Sequence, residues 1–198
     1  MRRCLVLFFL TMPLVGKAQT LSNDKQQDLL GKGHISLGVS VGQGYRGTYP
    51  TTNFVSPRIQ YFIANGWSIA AEGRFLTSTI YHQSGNKPDY RLLAGGLSTR
   101  YYFVRGKRVA VFAHIGTEYG QSAFHLTPDA PFSPGTISST WQTDAGLGIQ
   151  YRVGKRWAIE VMGGRSWLSN SLVSSSGFLP PADFNRWQCS VGINYRLH

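Results

Sequence analysis

The chain has 198 residues, with 20 Lys+Arg against 9 Asp+Glu, a formal net charge of +11 and only 15% charged residues. That length supports one domain of ordinary size and excludes a large multidomain enzyme. The basic residues stand singly or in pairs and form no basic stripe, so the charge excess gives no support to a nucleic-acid partner.

Residues 1–18 read as an export signal. Arg2 and Arg3 form a basic head, Cys4 to Val15 an apolar stretch, and Gly16-Lys17-Ala18 places small residues at the −3 and −1 positions of a signal-peptidase site. Cleavage after Ala18 removes three cations and Cys4, leaving Cys189 as the single thiol and excluding an internal disulfide. Residues 19–33 read as a loose N-terminal lead, with one or two helical turns at most and Gly31 as a stop. After residue 18 nothing approaches the roughly 18 apolar residues that a membrane helix needs.

From residue 34 onward the dominant signal is two-residue alternation of apolar with small or polar side chains. In the first run, His34 to Gly42, Ile35, Leu37, Val39 and Val41 share one face while Ser36, Gly38, Ser40 and Gly42 share the other. Similar runs follow at 53–64, 67–76, 91–103, 108–121, 140–153, 157–168 and 186–197, each near or above the 9–11 residues of a tilted membrane strand. Tight links at Ala64-Asn65-Gly66, Arg105-Gly106-Lys107 and Gly154-Lys155-Arg156 alternate with long ones at 43–52, 77–90, 122–139 and 169–185. Short and long links therefore fall on opposite rims of an up-and-down meander. Closure of an even number of strands removes the unpaired edges that hydrocarbon would not tolerate.

The aromatics on the apolar faces sort to the strand ends. Tyr61, Trp67, Tyr101, Phe103, Tyr151, Trp157 and Tyr195 lie near the short links, and Tyr119, Trp141, Trp167 and Trp187 near the long ones. Two girdles flanking a Val/Ile/Leu/Ala/Gly band predict a barrel standing in a bilayer. The competing expectation is a soluble barrel or sandwich with these residues as its core.

Three segments carry a family likeness: Arg100-Tyr101-Tyr102-Phe103 before a tight turn, the Gly-rich Ala145-Gly146-Leu147-Gly148, and the closing run from Val191 to His198. Over residues 34–198 the chain resembles the small outer-membrane β-barrel proteins of Gram-negative bacteria, eight-stranded and outer-membrane-protein-A-like or PorT-like. It departs from that family's usual aromatic terminus in ending on His198. The resemblance implies an all-β, eight-stranded antiparallel up-and-down transmembrane barrel in the cell outer membrane, with short periplasmic turns and longer extracellular loops.

The inward faces carry Arg58, Arg74, Arg100, Arg152 and Arg196 against Glu72, Glu118, Asp144 and Glu160, with His114 among them. A three-residue turn at Ala64-Asn65-Gly66 would pair Ile63 with Trp67 and set Arg58 opposite Glu72. An eight-stranded barrel is only wide enough for its side chains to fill. A charge network of Arg58, Glu72, Arg74, Arg100, His114, Glu118, Asp144 and Glu160 should therefore plug the lumen, and the alternative is a narrow gated pore for small solutes or ions. A cation or proton site among His114, Glu118, Gln142 and Asp144 is conceivable, since paired carboxylates in a low dielectric invite one. The five histidines (34, 82, 114, 125, 198) are scattered among different elements and suggest no metal site. No cofactor and no catalytic residue are expected.

One segment raises an enzyme. Ser166-Trp167-Leu168-Ser169-Asn170-Ser171 looks like the His-x-Ser-Asn segment of outer-membrane lipid A 3-O-deacylases, with Ser169 at the nucleophile and Asn170 at the oxyanion position. Trp167 stands where the general-base His belongs, and a hydroxyl without a base in reach is a poor nucleophile. Asp183 is a distant substitute. The expectation is therefore a non-enzyme.

Phe124, Leu126, Phe132 and Ile137 in the 122–139 link, and Leu172, Val173, Phe178 and Leu179 in the 169–185 link, are more apolar than solvated loops require. They either pack on one another or offer a patch to an extracellular or periplasmic protein partner. Arg46, Lys87, Arg91, Arg165 and Arg186 fall on the same rim and suit the phosphates of lipopolysaccharide. The resulting expectation is a monomeric barrel among outer-membrane lipid and lipopolysaccharide, serving a structural, loop-mediated binding or membrane-integrity role, with no nucleic acid.

Overall fold

The computed structural model describes residues 29–46, 49–79, 89–125, 136–170 and 186–197. Eight strands follow in chain order: β1 (Ile35–Arg46), β2 (Tyr49–Ala64), β3 (Trp67–Thr79), β4 (Asp89–Arg105), β5 (Val109–His125), β6 (Thr136–Arg152), β7 (Trp157–Asn170) and β8 (Arg186–Arg196). Each pairs antiparallel with its sequence neighbours, and β1 also pairs with β8, with Val39 opposite Ile193, so the sheet closes into a barrel. Every alternating run of the sequence is a strand, and the sense of alternation holds; in β8, Arg186, Gln188, Ser190, Gly192 and Asn194 turn in while the residues between them turn out.

Strands run further than the apolar pattern. β4, β5 and β6 have 17 residues each, roughly 55 Å of chain at about 3.3 Å per residue. Apolar alternation marks only the part of a strand with a greasy exterior, whereas backbone pairing continues through the polar residues beyond it. The link expected over 43–52 shrinks accordingly to residues 47–48, between Arg46 and Tyr49.

The first short turn also differs from its expected form. Ala64, not Ile63, pairs with Trp67, leaving the two-residue turn Asn65-Gly66 with Gly66 at φ 78°. The register shifts between Phe62 and Ala64. That irregularity at Ile63 absorbs one residue, so Arg58 still sits opposite Glu72.

Residues 29–33 are not a loose lead. Leu29 and Leu30 form a helical fragment buried at the short-turn mouth against Phe62, Tyr102, Ala110, Phe112 and Met162, with Leu30 only 2% exposed. Backbone bonds hold it there: Gly66 N donates to Leu30 O (2.8 Å), Gly33 N to Phe62 O (2.8 Å) and Phe62 N to His34 O (2.9 Å). Burying each leucine contributes about 1.5–3 kcal/mol, which together with these backbone bonds offsets the cost of ordering the short segment.

Candidate functional site: the plugged lumen

Inward parity brings Arg58, Glu72, Arg74, Arg100, His114, Glu118, Asp144 and Glu160 from six strands into one buried layer. Arg58 and Glu72, although opposite in register, do not form the ion pair that their position suggests. A guanidinium is long enough to cross so narrow a lumen, and Arg58 Nη2 lies 2.6 Å from Glu160 Oε1 on β7. Arg100 Nη1 donates to the other oxygen of Glu160 (2.8 Å), and Asn194 Nδ2 donates to that same oxygen (2.7 Å). Glu72 accepts instead from Ser98 Oγ (2.7 Å) and stands 4.0 Å from Arg100 Nη2.

The network continues through the imidazole. Arg100 Nε donates to His114 Nδ1 (3.3 Å), and His114 Nε2 meets Asp144 Oδ2 at 2.7 Å. An arginine can only donate, so Nδ1 is the acceptor and Nε2 carries the hydrogen given to Asp144. Arg74 closes the chain, with Nε 3.1 Å from Glu118 Oε2 and Nη2 3.6 Å from Asp144 Oδ1. The path Arg58–Glu160–Arg100–His114–Asp144–Arg74–Glu118 thus spans the barrel's interior, and Asp144 at its centre is 0% exposed. Two glycines make the room. A Cβ on Gly38 would meet Asn194 Oδ1 and the Arg58 guanidinium, and one on Gly148 would enter the Phe112 ring.

Apolar layers lie on both sides of the charges. Toward the short turns, Phe62, Tyr102, Phe112 and Met162 meet Leu29 and Leu30; toward the long links, Phe54, Leu76, Leu92, Ala94 and Leu168 form a second cluster. Arg100 lies over the Phe112 ring and Arg74 over the Phe54 ring, each 4.8 Å from the centroid. These plugs escape a reading by alternation because they sit where alternation fails, in Tyr61-Phe62-Ile63, Phe75-Leu76, Leu92-Leu93-Ala94 and Tyr101-Tyr102-Phe103. Apolar side chains on both faces of a strand are the signal that would have found them.

The outer wall carries Val, Ile and Leu with the aromatics at its two ends. Trp67, Trp141, Trp157, Trp167 and Trp187 all point outward and are exposed. Trp157 packs on Tyr195 and Tyr119 on Trp141, with centroids 4.7 Å and 5.0 Å apart. Trp67 Nε1 donates to Thr99 Oγ1 at 2.9 Å.

The closed eight-stranded barrel recurs in solved structures. The N-terminal β-barrel domain of Pseudomonas aeruginosa OprF aligns over 84% of this chain and 98% of its own, at 11% identity and TM-score 0.56. Neisserial surface protein A aligns over 82% and 95%, at 15% identity and TM-score 0.53. Ail, the attachment invasion locus protein of Yersinia pestis, aligns over 83% and 99%, at 13% identity and TM-score 0.50. The fold is that of the small eight-stranded outer-membrane barrels. No family model and no curated protein matches the chain.

Several expected site residues fall elsewhere within that fold. Arg186 was expected on the lipopolysaccharide-facing rim but turns into the lumen, 4% exposed, because it shares the parity of Gln188 and Ser190. Arg91 and Arg165 are exposed, and Arg165 lies over the Trp167 ring at 5.9 Å. The side chain of Arg46 and all of Lys87 lie outside the described residues. Arg152 and Arg196 stay half-buried at the short-turn mouth, where Arg152 Nε donates to Gly154 O (2.8 Å). Trp167 faces outward. The side chains of Ser169 and Asn170, together with Asp183 and most of the 122–139 and 169–185 links, lie outside the described residues. Among the described residues no group of three or more His, Cys, Asp and Glu has the geometry to hold a metal ion.

Proposed function

We propose that this chain is exported by residues 1–18 and inserts in the outer membrane as a monomeric barrel. In this reading the short turns face the periplasm and the long links the exterior, and its role is structural or loop-mediated binding rather than transport or catalysis. The observation that carries this reading is the lumen itself. A continuous Arg–carboxylate–His chain fills its middle, with one apolar cluster toward the short turns and another toward the long links. A solute would have to break several desolvated ion pairs to pass, each costing about 3–5 kcal/mol when one partner is lost. Function then belongs to the wall and the rim.

At the rim, Arg91 and Arg165 supply cationic contacts for lipopolysaccharide phosphates. Ail has been solved with the heparin analogue sucrose octasulfate, which shows polyanion contact on a barrel of this fold and lends chemical support to such a role here. A lipid A hydrolase is disfavoured, because Trp167 holds the base position and faces outward. The test is reconstitution in planar bilayers of protein whose folding is established by heat-modifiable gel migration. Negligible conductance is expected; discrete openings that change on Arg58→Ala would favour the narrow gated pore instead.

A further inference from the structure

The two halves of the lumen are satisfied very differently. Toward the short turns the polar groups are bonded to one another: Gln60 Nε2 donates to Ser68 Oγ (2.6 Å), Tyr102 OH to Gln150 Oε1 (3.0 Å) and Arg58 Nη2 to Asn194 Oδ1 (2.6 Å). Only Arg58 Nε is left over in that half among the described residues. Toward the long links, Glu118 Oε1, both amide atoms of Gln142, Ser166 Oγ, Gln188 Nε2 and Thr52 Oγ1 find no partner in the protein, although each of these residues is at least nine-tenths buried.

These groups are neighbours. Gln142 is opposite Glu118 on β5 and β6, Ser166 is opposite Asp144 on β7 and β6, and Arg74 reaches both acids from across the lumen. Buried donors and acceptors at membrane depth must be satisfied by something. A cation is a poor candidate, since Arg74 already lies between the two carboxylates. Water fits, because it both donates and accepts and needs two to four polar partners. Its route is also marked. The apolar cluster of Phe54, Leu76, Leu92, Ala94 and Leu168 covers β2 to β4 and β7, whereas a Ser122–Thr140 hydrogen bond (2.8 Å) continues a polar strip along β5 and β6 toward the long links.

We propose that the lumen is a half-channel: its long-link half is a chamber filled with water exchanging with the exterior, and its short-turn half is a dry seal. The seal consists of the Arg58–Glu160–Arg100 cluster backed by the Phe62, Phe112 and Leu30 layer. The inference rests on the membrane-spanning reading above. The test uses single-cysteine variants Ser166→Cys and Ser68→Cys in a Cys189→Ala background, each first checked for heat-modifiable migration and membrane integration, so that a failed barrel is recognised separately. Silver ion, a thiol reagent small enough to follow water, is added outside intact cells and the protected thiol fraction is counted after unfolding. The cysteine at 166 should react at least tenfold faster than that at 68. Equal rates, or protection of both, would overturn the half-channel. In the unmodified protein, water-edited solid-state NMR provides the second measurement: the Gln142 side-chain amide should receive water polarisation severalfold faster than that of Gln60, and equal build-up would be equally fatal.

Discussion

Glu160 is the acceptor on which the sealed half of the lumen converges. Its two oxygens take Arg58 Nη2 at 2.6 Å, Arg100 Nη1 at 2.8 Å and Asn194 Nδ2 at 2.7 Å. Glu160→Gln keeps the volume and one carbonyl acceptor but removes the charge, and turns an NH2 toward a guanidinium that cannot accept it. No cavity forms, so the effect is electrostatic and hydrogen-bonding alone. Removing one member of a buried pair costs about 3–5 kcal/mol. With two arginines stranded, the upper part of that range is expected, roughly three powers of ten in the folding equilibrium at about 1.4 kcal/mol per tenfold. The assay is reversible urea unfolding of the barrel in lipid vesicles, followed by tryptophan emission. A double-mutant cycle with Arg58→Met isolates the pair: the double variant should be less damaged than the two single losses added together, because the second change removes a charge that the first left unpaired. A Glu160→Gln protein within about 1 kcal/mol of the parent would refute the reasoning and place water, not Glu160, as the true partner of the arginines.

Other perturbations address other parts of the molecule. Leu30→Asp buries a carboxylate among Phe62, Phe112 and Met162; it should release the N-terminal fragment, making the chain before Ile35 protease-sensitive while the barrel still migrates as a folded band. Gly148→Val drives a branched side chain into the Phe112 ring and should cost about 1–3 kcal/mol by overpacking, measured by the same urea unfolding, with Phe112→Leu in the same chain restoring part of the loss. Expression of the protein in cells should leave the lipid A mass spectrum unchanged, and Ser169→Ala should make no difference; a shifted mass lost in that variant would reinstate the hydrolase.

Strand number, meander order and the inward identity of the eight network residues could all be read from period-two patterning, because a side chain's face is decided by parity alone. Contacts within the lumen could not. Parity and turn length set Arg58 opposite Glu72, yet a long guanidinium chooses among acceptors on every wall of a barrel this narrow, and it chose Glu160. The turn is one residue shorter than its sequence suggests, but the strand irregularity at Ile63 compensates and keeps Arg58 opposite Glu72. Arg186 adjoins a long link, which suggests the rim, but its alternation with Gln188 and Ser190 assigns it inward. The docking of Leu29 and Leu30 had no periodic signal at all: two apolar residues in a polar lead become a plug only once Phe62, Tyr102 and Phe112 have built a floor for them.

The central claim, an apolar wall with its aromatics turned outward into lipid around a closed interior, is tested most directly by quenching. The chain's five tryptophans all lie on the outer surface, so phospholipids brominated along their acyl chains should quench most of the intrinsic emission of the vesicle-inserted protein, whereas acrylamide from the water phase should quench little. Emission insensitive to brominated lipid would contradict the account and favour a soluble barrel or sandwich with the aromatics in its core.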